Sequence, residues 1–157
     1  MTLKKGVTIR EATILDRDFL VECQINMADE TENLALDFLT VQMGVEAVMS
    51  DSSRGFYIIA EVEGNLAGCL MVTPEWSDWR NRWVWWLQSV YVLPHFRQNG
   101  IFGTMYDYVK NKVLENNQVA GIRLYVDKSN QRAQMVYERS GMDGGHYTTY
   151  EWMKSNN

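Results

Sequence analysis

The sequence predicts a mixed α/β protein: a central, mostly antiparallel, twisted sheet of about six to seven strands with helices on both faces. Three observations carry that expectation. The hydrophobic period switches along the chain in the order strand, two helices, three strands in meander, helix, strand, helix, strand. Residues 87–105 (LQSVYVLPHFRQNGIFGTM) read as a strand that stops at a proline, a short glycine-bearing turn and a new helix. The chain has 157 residues, 46% of them apolar and 22% charged, which suits one folded domain spanning 1–157.

Val7 to Arg10 alternates and reads as a first strand. Ile14 to Met27 follows as a helix, with Asp16 as its cap and Leu15, Phe19, Leu20 and Cys23 along one face. Ala28 to Asn33 is polar and acidic, a connection between helices. Leu34, Phe38, Val41, Val45 and Val48 recur at three- and four-residue steps and mark a second amphipathic helix. Ser50 to Gly55 is a loop. Phe56 to Val62 and Leu66 to Thr73 are strands joined by a hairpin turn at Glu63-Gly64-Asn65. Pro74 to Arg82 reads as a polar loop carrying two tryptophans, and Trp83 to Val92 as the long strand. Ile101, Met105, Val109 and Val113 form the stripe of the next helix, which ends at Asn116-Asn117. Ile122 to Val126 is a strand, Asn130 to Arg139 a helix closed by Gly141, and His146 to Met153 alternates as a last strand.

Composition narrows the function. The formal net charge is −5 and the pI about 5.0, which argues against broad binding to nucleic acid. No run approaches the roughly 20 apolar residues of a membrane span, and the N-terminus has no signal-peptide core. A cytoplasmic protein is the simple reading. Cys23 and Cys69 form neither a disulfide framework nor a metal-ligand spacing, so both read as buried thiols and no metal is expected.

The junction at 94–103 has a chemistry of its own. Pro94 lacks a backbone donor and suits a strand end. Gly100 permits a tight or left-handed backbone and a close approach by another group. The unpaired amides at the following helix start converge, and the helix dipole adds positive charge, so a phosphate or pyrophosphate suits residues 97–103.

At this point the chain resembles the GNAT superfamily of N-acetyltransferases. That family places (Q/R)-x-x-G-x-(G/A) after its long fourth strand. Here the segment reads Arg97-Gln98-Asn99-Gly100-Ile101-Phe102, with Gly103 following. Downstream the family often starts a helix with Asn, then has Ala three residues on, Tyr four further, and Gly-Phe. Here these are Asn130, Ala133, Tyr137 and Gly141-Met142. Phe102 departs from the small sixth residue, and its ring is expected to point away from the phosphates into the sheet.

The resemblance implies a mixed sheet of the acyl-CoA acyltransferase type and acetyl-CoA as cosubstrate. The amides of Gln98, Asn99, Gly100, Ile101, Phe102 and Gly103 would hold the pyrophosphate, with Arg97 adding charge or standing as an exposed loop arginine. The edge of the strand at Val90, Tyr91 and Val92 would pair with the pantetheine arm, one amide polarising the thioester carbonyl. Asn130 would hydrogen-bond the cofactor arm or act as a plain helix cap. Tyr137 would protonate the leaving thiolate, a phenol of reference pKa ~10 donating to a group whose thiol titrates near ~8.5; otherwise it is a core tyrosine.

The acceptor side is more open. Some family members carry a glutamate midway along the fourth strand, whereas Trp83-Val84-Trp85-Trp86-Leu87 holds no carboxylate. Glu75 and Asp78 are the leading catalytic candidates, with Glu30, Glu32 and Glu61 behind them. His95 and His146 read as unassigned surface groups. Glu75-Trp76-Ser77-Asp78-Trp79 is expected to form an aromatic-walled cationic site for the acceptor, or else to be rim and sheet cover. The resulting expectation is acetylation of a primary amine by direct attack in a ternary complex, the acceptor a small molecule rather than a protein. The alternative is an acyl-CoA-binding regulatory module without transferase activity. The aromatic last strand is compatible with a homodimer, an assembly that the family commonly forms.

Overall fold

The computed structural model describes residues 6–155, which fall into two compact units meeting between Leu124 and Tyr125. The first unit holds one five-stranded sheet in the order β1 (Val7–Glu11), β2 (Phe56–Val62), β3 (Asn65–Ser77), β4 (Arg82–Val92), β5 (Val119–Arg123). The first four strands are antiparallel neighbours, and β4 and β5 run parallel. Its helices are α1 (Arg17–Glu32), α2 (Phe38–Ser50) and α3 (Ile101–Glu115).

Alternation along the strands sorts the core into two layers. Tyr57, Ile59, Cys69 and Tyr91 bury against Leu20, Val21 and Cys23 of α1 and Val45 of α2. Ile58, Leu70 and Val72 project to the opposite face, which α3 covers with Ile101, Met105 and Val109. The β2–β3 hairpin turns on Glu63 and Gly64, both at positive φ (50° and 80°), as a two-residue turn matched to strand twist requires.

The helix starts show which side chains cap. Thr13, not Asp16, opens the first helical turn: its hydroxyl accepts from the Leu15 amide while the Asp16 carboxylate accepts from the Thr13 amide. Asp16 is buried instead and carries a two-pronged ion pair with Arg10 of β1 (2.7 and 2.8 Å), and Arg10 also reaches Glu61 of β2. Residues 28–32, expected as a connection, are the last turns of α1, which stops at Asn33 in a left-handed conformation. α2 starts later than its apolar period implied, because Asp37 caps it through the Thr40 amide (2.8 Å).

Three further expectations are corrected. Residues 74–77 are strand rather than loop: β3 stays paired with β4 out to Ser77 opposite Arg82, leaving a tight turn at 78–81. The strand expected at Ile122–Val126 lies at Val119–Arg123, because the Asn116 side chain turns the chain at Gln118 (2.9 Å) and lets Val119 enter the core opposite Trp83. The last strand, His146 to Met153, is not formed among the described residues, so the sheet has five strands. Alternation permits a strand, but a strand exists only where its amides and carbonyls find a partner edge. Tyr150 and Trp152 instead stay almost fully exposed.

The second unit is organised by α4 (Gln131–Arg139). Asn130 caps it, its Oδ1 accepting from the Ala133 amide (3.0 Å). Gly141 takes a left-handed φ of 87°, and the Met142 amide donates to the Tyr137 carbonyl (3.1 Å), the glycine stop read from the sequence. No helix among the described residues is long and apolar enough to cross a membrane.

Candidate active site

The first unit opens its sheet beside β4. β4 and β5 pair only from Trp83/Val119 to Trp86/Arg123. β5 ends there, so Leu87 to Val92 has no strand neighbour on that side among the described residues. This leaves about 20 Å of free strand edge, at 3.3 Å per residue. On its other side β4 is bulged: Gln88 pairs with Met71 and Tyr91 with Cys69, so Ser89 and Val90 together face Leu70. Ser89 takes φ = 52°, a costly conformation for a non-glycine residue, and the Cys69 thiol lies 3.9 Å from its carbonyl oxygen as a weak donor. Burial of that thiol, after a hydrogen bond with Cys23, pushes its pKa well up, so it stays protonated.

The bulge decides which backbone groups meet the opening. The Leu93 amide donates to the Ala67 carbonyl (2.9 Å). Antiparallel alternation then turns Tyr91 toward β3, and Val90 and Val92 toward the free edge. Tyr91, expected with them on the cofactor edge, thus gives its backbone to β3 and its ring to the core.

Past Leu93 the chain makes a single 3-10 turn, Pro94–Phe96, and a loop in which Gln98 and Gly100 both take left-handed φ (65° and 69°). Gly100 opens α3 with no side-chain cap, so no N-cap side chain takes the first amides of the helix. Gly103 lies in the first turn, and a Cβ added there would meet nothing within 4 Å. Ile101, Met105 and Val109 take the buried stripe, and Phe102 sits half-buried on its flank with the Tyr106 ring 6.2 Å away.

Arg97 is heavily committed. Its Nε donates to the Val92 carbonyl (2.8 Å) and its Nη2 to Glu30 Oε2 (2.7 Å), while the guanidinium carbon lies 5.3 Å from the centroid of the Tyr91 ring. Glu30 Oε1 accepts from the Tyr91 hydroxyl (2.6 Å). These two partners, Tyr91 first, hold the Glu30 carboxyl below the usual carboxylate range, and burial followed by Glu30 pushes the Tyr91 phenol up to about 12.

The acidic candidates separate clearly. Glu75 and Trp76 are adjacent in β3 and so project to opposite faces. Trp76 packs edge-to-face on Trp83 (5.0 Å), away from Glu75. The ring that does meet Glu75 is Trp86, whose indole N–H donates to Oε2 (2.6 Å), and Arg123 Nη1 reaches both oxygens (3.1 and 3.0 Å). Glu75 and Trp86 are diagonal cross-strand neighbours, and β5 sets Arg123 opposite Trp86. The Trp86 bond, then Arg123, lowers the Glu75 pKa. Glu75 of β3 thus lies beside the Trp86 side chain of β4. Trp86 lies three residues from Ser89, about 10 Å along the strand.

Asp78 lies in the turn beyond Ser77, accepting from the Trp79 amide (2.8 Å), with Trp79 almost fully exposed. Arg82, where β4 begins, is seven residues from Ser89, about 23 Å. The fold does not bring Asp78 to the bulge. Glu61 is held by Arg10.

Sequence reasoning missed Ser89, Trp86 and Arg123 because their roles depend on a bulge and on strand register, neither of which has a local sequence signal. In the second unit, Asn130 is the helix cap already described, and burial pushes the Tyr137 phenol up. No group of three His, Cys, Asp or Glu among the described residues is arranged to hold a metal ion.

The sequence matches the acetyltransferase (GNAT) family over residues 15–142. A search of curated proteins finds no match. Among solved structures, a possible acetyltransferase from Clostridium difficile 630 is 37% identical, with a TM-score of 0.88 over 97% of this chain and 100% of that one. The ribosomal-protein-alanine N-acetyltransferase from Brucella melitensis biovar Abortus 2308 is 16% identical, with a TM-score of 0.76 over 95% and 99%. AAC(6')-Iy, in complex with the bisubstrate analogue CoA-S-monomethyl-acetylneamine, is also 16% identical, with a TM-score of 0.72 over 95% and 99%. At 16% identity the likeness is one of fold. The family match across both units, and the 37% identical structure along nearly the whole chain, establish that this chain belongs to the GNAT family of acetyltransferases.

Proposed function

We propose that the protein transfers the acetyl group of acetyl-CoA to a primary amine of a small-molecule acceptor, by direct attack in a ternary complex. The observation that carries this reading is the free, bulged edge of β4 running into the uncapped start of α3. An extended amide-bearing arm would pair with the outward groups of Val90 and Val92, and a diphosphate would rest on the amides of Gln98 to Gly103. Both likenesses, to the family and to a protein bound to a CoA analogue, support acetyl-CoA as cosubstrate.

In the reaction the acceptor nitrogen bonds to the thioester carbonyl carbon, the C–S bond breaks and the sulfur leaves with its electron pair. The outward amide of Val90 is suited to stabilise charge on the carbonyl oxygen. Tyr137 is assigned as the acid that returns a proton to sulfur; its raised pKa keeps the phenol protonated at neutral pH. The attacking amine must lose a proton, and Glu75 is assigned to the acceptor side. Its lowered pKa and its pairing with Arg123 make it a poor base, so its role is to orient the acceptor together with Trp86 and Arg123, while the proton of the attacking amine leaves to water. Asp78 has no part in this scheme. The alternative, a module that binds an acyl-CoA without transferring it, draws on the half-buried Phe102 at the helix start.

Calorimetric titration with acetyl-CoA and free CoA tests the cofactor site, with Gly100→Trp as the control. Binding of both ligands to the wild type and loss in the variant is the expected result. No binding of either ligand to the wild type refutes the proposal.

A further inference from the structure

Arg97 occupies the first position of the phosphate-loop motif, yet its guanidinium is tied at both ends to protein groups. Nε sits on the carbonyl of Val92, one of the groups that face the free edge of β4. Nη2 sits on Glu30, in the last turn of α1 and 67 residues away in sequence. The Tyr91 ring lies beneath the guanidinium, and the Tyr91 hydroxyl takes the other Glu30 oxygen. Glu30 and Arg97 are both about two-fifths exposed, and as a pair they carry no net charge toward an incoming phosphate.

The loop that follows needs such an anchor. Gln98 and Gly100 are both left-handed, and a non-glycine residue does not hold that conformation unaided. On its far side the loop runs into α3, where the Thr104 amide and hydroxyl both bond the Gly100 carbonyl (3.1 and 3.0 Å). On its near side the anchor is Arg97, whose amide bonds the Pro94 carbonyl and whose side chain spans from β4 to α1.

We infer that Glu30 is a positioning residue: it clamps Arg97 across the end of β4 and so presets the amides of Gln98 to Gly103, with Arg97 acting as a strut and not as a phosphate ligand. The inference rests on the acetyl-CoA reading of this loop. It also ties the end of α1, where the chain passes into α2, to the arrival of the cofactor.

The test is calorimetric titration of CoA, and of an acetyl-pantetheine thioester that lacks the diphosphate, into the wild type, Glu30→Gln, Arg97→Lys and the double variant. Thermal unfolding of each variant checks that it is folded. Glu30→Gln keeps size and removes the ion pair. Arg97→Lys keeps the charge but cannot bridge Val92 and Glu30 together. Each single variant is expected to weaken CoA binding about 3- to 10-fold, the double variant no more than the worse single one, and the truncated thioester to bind all four proteins alike. Tighter CoA binding by Glu30→Gln, with Arg97→Lys near wild type, would make Arg97 a phosphate ligand and Glu30 its competitor, overturning the inference. Equal loss for CoA and the truncated thioester would reduce Glu30 to a general structural role. A wild type that binds no CoA would remove the acetyl-CoA reading itself, and this inference with it.

Discussion

Gly103→Ala separates stability from binding in a single substitution. Gly103 is the third residue of α3, and its added Cβ would enter open space. No left-handed φ is found there, so alanine is not strained. Alanine restricts the unfolded chain and favours helix, which in a first turn is worth about 0.5–1 kcal/mol of added stability. For a protein of this length that raises the melting temperature by about 1–3 °C. If the diphosphate rests on this turn, the same methyl group occupies the space the ligand needs. Forcing the ligand off two or three amides is expected to lose about 1.4–2.8 kcal/mol, or 10- to 100-fold in CoA affinity. Differential scanning calorimetry and titration on one protein sample read both quantities. A higher melting temperature with unchanged CoA affinity would mean that the first turn of α3 is not the cradle. A lower melting temperature would refute the argument from open space.

Other perturbations address the remaining roles. Tyr137→Phe is expected to lower kcat at least ~10²-fold while leaving the acetyl-CoA KM nearly unchanged, as loss of a general acid should; steady-state thiol release measures both, and a retained kcat removes the assignment. Glu75→Gln is expected to raise the acceptor KM about 5- to 10-fold with little change for acetyl-CoA, whereas Asp78→Asn changes neither; the reverse pattern would move the acceptor to the hairpin tip. Asp16→Ala removes the buried partner of Arg10 and the capping box together. It should cost about 3 kcal/mol, toward the low end of a broken buried pair because Arg10 is one-third exposed and keeps Glu61. Arg10, then the Thr13 amide, holds the Asp16 carboxyl below its ordinary 3.8. Its contribution is therefore full above that value and fades as pH falls through the lowered one. Asp16→Ala should flatten that part of the acid-unfolding profile, and an unchanged profile would show that the ion pair contributes nothing.

The parts of this protein legible in its sequence are those governed by local chemistry. Glu63-Gly64-Asn65 reads as a hairpin turn because a glycine reaches the positive φ that tight hairpin turns use without steric cost, and Gly64 takes 80°. Gly100 before Ile101, and Asn130 before Gln131, read as helix starts because amides there need partners or ligands. What was not legible depends on register. Whether Glu75 faces Trp76 or Trp86 is decided by β3 continuing through Pro74, and nothing near Pro74 announces that. The bulge at Ser89–Val90 is a property of the β3–β4 pair. Glu30 and Arg97 meet only because α1 lies over the end of β4. Conversely, the alternation of His146 to Met153 was real but insufficient, since a strand requires an edge to pair with.

The reaction that most needs measuring is group transfer to nitrogen. Its most direct measurement is to incubate the protein with acetyl-CoA labelled in the acetyl group and a panel of small primary amines, following free CoA thiol and the mass of each amine. The expected result, for at least one amine, is thiol release matched one-to-one by a labelled N-acetyl product and strongly reduced in Tyr137→Phe. Saturable acetyl-CoA binding with no labelled product from any amine would contradict it and leave the protein as an acyl-CoA-binding module.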